Sequence, residues 1–127
     1  MLWYARAMSS AAALSYEPVS VVIPAYNEQA GVAAQVATIQ HVLDPHGIAY
    51  EIVVVDDGSA DETAAEAARA GARVLRHTSN RGYGAAIKTG ILAAQYEAII
   101  IIDADGTYPA DQIPQLLARL DTADMVV

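Results

Sequence analysis

In AIIIIDADGTYP, residues 98–109, two aspartates separated by one residue follow an aliphatic run. In an extended segment residues i and i+2 point to the same side, so Asp103 and Asp105 can converge on one cation. A hard ion such as Mg²⁺ or Mn²⁺ takes one or two carboxylates and fills its other positions with diphosphate oxygens and water. The same Asp-x-Asp-Gly-Thr pattern would also suit a phosphatase, with Asp103 as nucleophile and Asp105 as general acid. That chemistry needs a long following chain with a Ser or Thr, a Lys and further acids. Only 22 residues follow Asp105, none of them Lys, and three strand-like runs precede the motif, so the phosphatase reading is set aside. An isolated D-x-D more often marks a strand that ends in solvated acids and a turn. Its meaning depends on what else lies at the same edge.

Three other stretches carry polar groups that could work with this pair. VVVDDGSADET puts Asp56 and Asp57 at a strand end, where a carboxylate can accept hydrogen bonds from a nucleobase or ribose. An acidic metal pair of the receiver-domain kind would follow a first strand, and this pair follows a second. Asp56 is read as functional, whereas Asp57, Gly58 and Ser59 fit a turn and cap. In VVIPAYNE, Tyr26 could stack on a base and Glu28 bond to a base or ribose, with Asn27 capping the next helix. SNRGYGAAIKTG sets Arg81, Gly82 and Gly84 at a helix N-terminus, where free N–H groups and the helix dipole favour anions. Arg81 and Lys88 fit a solvated face equally well. His41, His46 and His77 have no metal-ligand spacing and are read as surface or packing residues.

The elements that must position these residues alternate along the chain. VSVVIP is a strand of buried type, and Val32, Val36, Ile39 and Leu43 recur at helical spacing, giving a helix over about Gln29–Leu43 that DPHG breaks. YEIVVVDD is a second strand. Ser59 and Glu62 form a capping-box pattern that opens a helix through DETAAEAARA, and Gly71 ends it. ARVLRH is a third strand, and GYGAAIKTGILAAQ a helix with Ile87, Ile91 and Ala94 on one face. AIIIID is the fourth strand, ADQIPQLLARL a helix with Pro114 in its first turn, and ADMVV a fifth strand. Such alternation predicts an α/β layer fold with a mainly parallel sheet and helices on both faces. Right-handed crossovers then bring the strand C-terminal ends, and with them PAYNE, DDGS and DAD, to one edge.

The bulk numbers bound the partners. The chain has 127 residues, 54 % of them hydrophobic, with no Phe, which suits one core of small and β-branched side chains. Fifteen acids against seven Lys and Arg give a net charge of −8, which argues against nucleic acid as a partner. An anionic nucleotide would need a divalent cation between its phosphates and the protein acids. The absence of Cys rules out disulfides and thiolate chemistry and fits a reducing, cytoplasmic setting. The run Ile99–Ile102 is far too short for a membrane span. Residues 1–17 lack a continuous apolar stretch and read as a poorly ordered leader, with one domain over 18–127.

In order and spacing, VSVVIPAYNE, IVVVDDGSADET, NRGYGAAIKTGI and IIDADGTYP resemble the N-terminal half of a family 2 glycosyltransferase of the GT-A fold. Within that family the dolichyl- and polyprenyl-phosphate sugar synthases are the most similar. The resemblance covers residues 18–127 and implies a Rossmann-like donor domain that here stops after a fifth strand. It implies a UDP- or GDP-linked sugar donor, Mg²⁺ or Mn²⁺, and transfer with inversion to an acceptor such as polyprenyl phosphate. Carried over by position, Pro24, Ala25, Tyr26 and Glu28 line the base and ribose pocket and Asp56 contacts the base. Arg81 and Gly82 lie near the phosphates. Asp103, Ala104 and Asp105 form the D-x-D, with Asp105 a metal ligand and Asp103 shared between metal and ribose. Thr107 departs from the Gln that relatives often carry there. Relatives continue well beyond this length, supplying the acceptor side, and any general base would lie beyond Val127. The alternative is a catalytically silent nucleotide-sugar-binding module completed by a partner chain or by self-association through an exposed sheet edge. The family's lipid acceptors imply peripheral association with the cytoplasmic face of a membrane.

Overall fold

The computed structural model describes residues 2–6, 17–107, 109–118 and 125–126. Six strands form one sheet: β1 (Leu2–Arg6), β2 (Val19–Ala25), β3 (Tyr50–Asp56), β4 (Arg73–Arg76), β5 (Ala98–Ile102) and β6 (Met125–Val126). Their spatial order is β4-β3-β2-β5-β1-β6. The four strands from β4 to β5 run parallel, and β1 lies antiparallel between β5 and β6. The helices are α1 (Val32–Leu43), α2 (Thr63–Arg69), α3 (Tyr83–Ala93) and α4 (Ile113–Ala118), with short 3₁₀ turns at Asp44–His46 and Ala110–Gln112. The α/β expectation, mainly parallel with both faces covered, matches this arrangement.

The period-2 alternation of the strands sorts the core into two layers. Val19, Val21 and Ile23 of β2 pack with Val36, Ile39 and Leu43 of α1, Ala67 of α2, and Ile113 and Leu117 of α4. Val22, Val53, Val55, Ile99 and Ile101 face the other way, onto Ala86 and Ile87 of α3. Helices α1, α2 and α4 therefore cover one face and α3 the other. Ser20 is buried inside β2 and is satisfied by donating to Glu51 Oε2 at 2.6 Å.

Several expectations shift. Leu2–Arg6, assigned to the leader, pairs with β5 in register from Leu2↔Ile102 to Arg6↔Ala98 and so covers the backbone edge of β5. The rest of the assigned leader, residues 7–16, lies outside the described residues. The α1 helix begins at Val32 rather than Gln29, after Gly31 with no side-chain cap. The capping box is not formed: α2 starts at Thr63 after Glu62, without a side-chain cap bond. On α3 the buried positions are Ala86 and Gly90, whereas Ile91 is 40 % and Leu92 77 % exposed. Small residues face the sheet there because α3 approaches it too closely for large ones. A Cβ on Gly90 would stand 2.3 Å from Cγ1 of buried Val22.

Candidate functional site

The C-terminal ends of β2, β3 and β5 open onto one cavity of about 370 Å³. Its walls include Pro24 and Ala25 at the end of β2, Tyr26 and Glu28 after it, Asp57 after β3, and Asp103, Ala104 and Asp105 after β5. Asn80, Gly82, Tyr83 and Ala86 close the side formed by the start of α3. Parallel strands with right-handed crossovers account for the convergence, since every strand of the parallel set β4-β3-β2-β5 ends at this edge. Eight of the ten residues selected from the sequence share the cavity. Asp56 and Arg81 do not line it.

Asp56 is fully buried behind the wall. Its Oδ1 accepts the Ser59 amide at 2.9 Å, while Oδ2 has no hydrogen-bond partner and only the Arg76 Nε at 3.3 Å as an ion pair. Its neighbour Asp57, read from the sequence as part of a turn, is the acid that reaches the cavity wall. Asp57 Oδ1 accepts the Arg81 amide and Oδ2 the Gly82 amide, each at 2.8 Å, and His77 Nδ1 lies 2.7 Å from Oδ1. These two amides were expected to be free for an anion at the start of α3. They are engaged by an internal carboxylate instead. Burial pulls the Asp57 pKa upward, but the bonds from His77, Arg81 and Gly82 outweigh it and hold the group below the ordinary aspartate value.

The loop after β2 is stitched to the loop before α2. Asn27 takes a left-handed φ of 52°, its amide donates to Ser59 Oγ at 2.8 Å, and its Oδ1 accepts the Ala60 amide at 3.0 Å. Asn27 is thus a cross-loop tie rather than a helix cap. The Glu28 amide donates to Thr63 Oγ1 at 2.9 Å, so Ser59 and Thr63 serve the neighbouring loop rather than their own helix terminus. These contacts set the backbone that carries Tyr26 and Glu28.

The loop after β5 is held from three sides. Gln35, buried on α1, donates Nε2 to the Asp103 carbonyl at 2.9 Å, and the Tyr83 hydroxyl donates to Asp103 Oδ1 at 2.7 Å. The Thr107 amide donates to Asp105 Oδ1 at 3.0 Å, and Thr107's side-chain and backbone bonds lower the Asp105 pKa. Facing these acids, Glu28 is pushed up, first by burial and then by the charges of Asp105, Asp61 and Asp103. The cavity therefore concentrates negative charge on hard oxygen atoms. No group of three metal-ligating side chains occurs among the described residues; Asp103 and Asp105 bring two carboxylates to this wall. A partial carboxylate shell completed by phosphate and water suits Mg²⁺ or Mn²⁺.

Asp57, His77, Asn80, Tyr83 and Gln35 were not selected from the sequence. For Asp57 and His77 the placement follows from strand register: Asp56 pairs with Arg76 at the ends of adjacent parallel strands, so the next residues on each stand side by side. Tyr83 and Gln35 depend on helix placement, which local periodicity does not supply.

The sequence pattern of Glycosyl transferase family 2 matches residues 20–127. An uncharacterized glycosyltransferase of Mycobacterium tuberculosis is 42 % identical over 111 residues, covering 87 % of this chain and 47 % of that protein. The undecaprenyl-phosphate 4-deoxy-4-formamido-L-arabinose transferase of Klebsiella pneumoniae is 40 % identical over 123 residues, covering 90 % and 38 %. This chain thus spans less than half the length of these curated relatives. Among solved structures, glucosyl-3-phosphoglycerate synthase of Mycobacterium tuberculosis, in complex with Mn²⁺, UDP and glucosyl-3-phosphoglycerate, superposes with a TM-score of 0.71. It is 30 % identical, with 84 % of this chain and 40 % of that one covered. With the match extending over nearly all of the sequence after β1, the chain belongs to glycosyl transferase family 2.

Proposed function

We propose that this chain binds a nucleotide-diphosphate sugar in the cavity at the ends of β2, β3 and β5 and serves inverting transfer of the sugar to a polyprenyl phosphate. The observation that carries the reading is the convergence of Asp103 and Asp105 with Tyr26, Glu28 and the Asn80–Tyr83 wall around one cavity. Its volume falls within the range of small-molecule sites. Pro24, Ala25, Tyr26 and Glu28 are assigned to base and ribose, with Tyr26 half-exposed and available for stacking. Asp56 is assigned to the base: behind them its buried Oδ2 has no hydrogen-bond partner, only the Arg76 ion pair, and keeps acceptor capacity for a base N–H. Arg81, exposed beside Gly82, is assigned to the diphosphate. The likeness to a UDP-bound synthase favours UDP over GDP.

Asp103, Ala104 and Asp105 are assigned to the metal and the adjoining ribose, with Mg²⁺ or Mn²⁺ held by the two carboxylates. When bound there, the ion would offset charge on the leaving diphosphate. The protein's own part is to hold the donor in line with its acceptor and exclude water from the reacting bond. A polyprenyl phosphate is already ionised at neutral pH and needs no strong base to attack. The relatives' lipid acceptor is the support for this choice. No helix among the described residues is long and apolar enough to cross a membrane. Peripheral association with the cytoplasmic face of a membrane is proposed from the relatives' lipid acceptor alone.

Calorimetric titration with UDP and GDP, in Mn²⁺ and then in chelator, tests the donor site. Tight binding of one nucleotide in metal alone is expected, and Asp105→Ala removes the metal-dependent part. Binding unchanged in Asp105→Ala sinks the metal assignment. Turnover with a nucleotide sugar and polyprenyl phosphate then separates a transferase from a module that only binds the donor.

A further inference from the structure

We propose that His77 is a positioning residue of the cavity, fixing the Asp57 carboxylate from which the Arg81 and Gly82 amides hang and thereby setting the Asn80–Tyr83 wall. Its consequence for ligand affinity rests on the donor-site reading above; its effect on the wall stands on geometry alone.

His77 is only 7 % exposed, and both ring nitrogens are engaged: Nδ1 lies 2.7 Å from Asp57 Oδ1, and Nε2 lies 2.8 Å from Thr89 Oγ1 on α3. A carboxylate only accepts, so Nδ1 carries a proton toward Asp57. The Thr89 hydroxyl donates to Nε2 when the ring is neutral and accepts from it when the ring is charged. The imidazole therefore ties the end of β4 to the middle of α3 through Thr89 and to the acid that follows β3 through Nδ1. Nothing else attached to the ring is needed for the chain of contacts to close.

Asp57 takes three donors, His77 and the Arg81 amide on Oδ1 and the Gly82 amide on Oδ2. The carboxylate torsion is broad and soft, so without the ring only the two loop amides would orient it. Those amides precede Tyr83, whose hydroxyl reaches Asp103. A change in the Asp57 orientation is thus transmitted to Asn80, Gly82 and Tyr83, all cavity residues, and through Tyr83 to the D-x-D loop. If His77 only filled space, a phenylalanine of similar size would serve as well.

The test compares the full chain with His77→Phe, His77→Asn and Thr89→Val. Two readouts are used: hydrogen exchange of the Arg81 and Gly82 amides in the ligand-free protein by NMR, and UDP affinity in Mn²⁺. His77→Phe is expected to speed exchange of those two amides, and to weaken UDP, by about tenfold or more, because a bond to a charged acceptor is lost. Amides of the β2–β3 ladder keep their rates. His77→Asn restores most of both effects, since its side-chain amide can donate where Nδ1–H did, and Thr89→Val falls between. Unchanged Arg81 and Gly82 amides in His77→Phe overturn the proposal, as does uniform acceleration of all amides with no rescue by Asn. Should His77→Phe not fold, Thr89→Val decides by the same amides. If the wild-type chain binds neither UDP nor GDP, the donor-site reading fails while the exchange rates still judge the wall.

Discussion

Gly58 sits in the turn after β3 with a φ of +76°, and a Cβ there would lie 2.5 Å from the Ser79 carbonyl carbon and 2.6 Å from the Asn80 amide nitrogen. Both atoms are backbone, so no rotamer change relieves the clash, and the left-handed φ is strained for any L side chain. Gly58→Ala should therefore cost about 2 kcal/mol, read as a lower urea midpoint, and should disturb the Asn80 wall. Asp57, next to it, makes a pH-dependent contribution whose sign follows from its lowered pKa. A group held below its unfolded value stabilises the fold above about pH 4 and loses that contribution as pH falls through its folded value. Asp61 and Asp105 shift in the same direction, so the wild type alone does not isolate the effect. Asp57→Asn should be less stable than wild type at pH 7 and should lose less on acidification. Parallel urea midpoints at pH 7 and pH 3 would overturn the assignment.

At the scale of elements, α3 shows how composition and packing can point in different directions. Its two interior glycines would be equivalent by propensity, each costing about 1 kcal/mol relative to Ala. The structure separates them. Around Gly84 there is open space, whereas at Gly90 a Cβ would meet Val22 Cγ1 at 2.3 Å and Val55 Cγ2 at 3.2 Å. Gly84→Ala is expected to raise stability by about 0.5 kcal/mol, and Gly90→Ala to lower it by about 1–3 kcal/mol through overpacking against the sheet. Adding Val22→Ala to Gly90→Ala should recover part of the loss. Equal effects of the two glycine substitutions in chemical denaturation would mean that α3 does not sit this close to β2.

For the whole molecule, the net charge of −8 and the acids around the cavity make an anionic ligand unwelcome without a cation, which is why metal dependence is the telling feature of any nucleotide binding. Sheet edges matter at this scale too. The β4 edge carries Arg73 and Arg76, exposed charges that oppose pairing with another chain. The edge of β5 is covered by β1 through five paired positions. Removing residues 1–16 should uncover that aliphatic strand, and gel filtration should then show more self-association than the intact chain does. A monodisperse truncated chain with an unchanged urea midpoint would show that β1 contributes nothing to the sheet.

The layer fold is legible in the sequence, because β-branched runs alternating with helical apolar spacing have few other ways to bury both faces. So is the placement of Tyr26, Glu28, Asp103 and Asp105 at one edge, since right-handed crossovers leave every parallel strand ending there. How the polar groups pair follows from the packing of distant elements. Ser59 and Glu62 fit a capping box locally, yet the Ser59 hydroxyl serves the Asn27 amide across the gap between loops. Arg81 and Gly82 begin a helix with amides that looked free, yet Asp57, more than twenty residues earlier, takes both. His77 lacks every local mark of function and gains its place from strand register and from Thr89 on a later helix. Local spacing governs which element forms. A hydrogen bond between loops depends on where two elements meet in space, and that is set by the packing of the whole sheet.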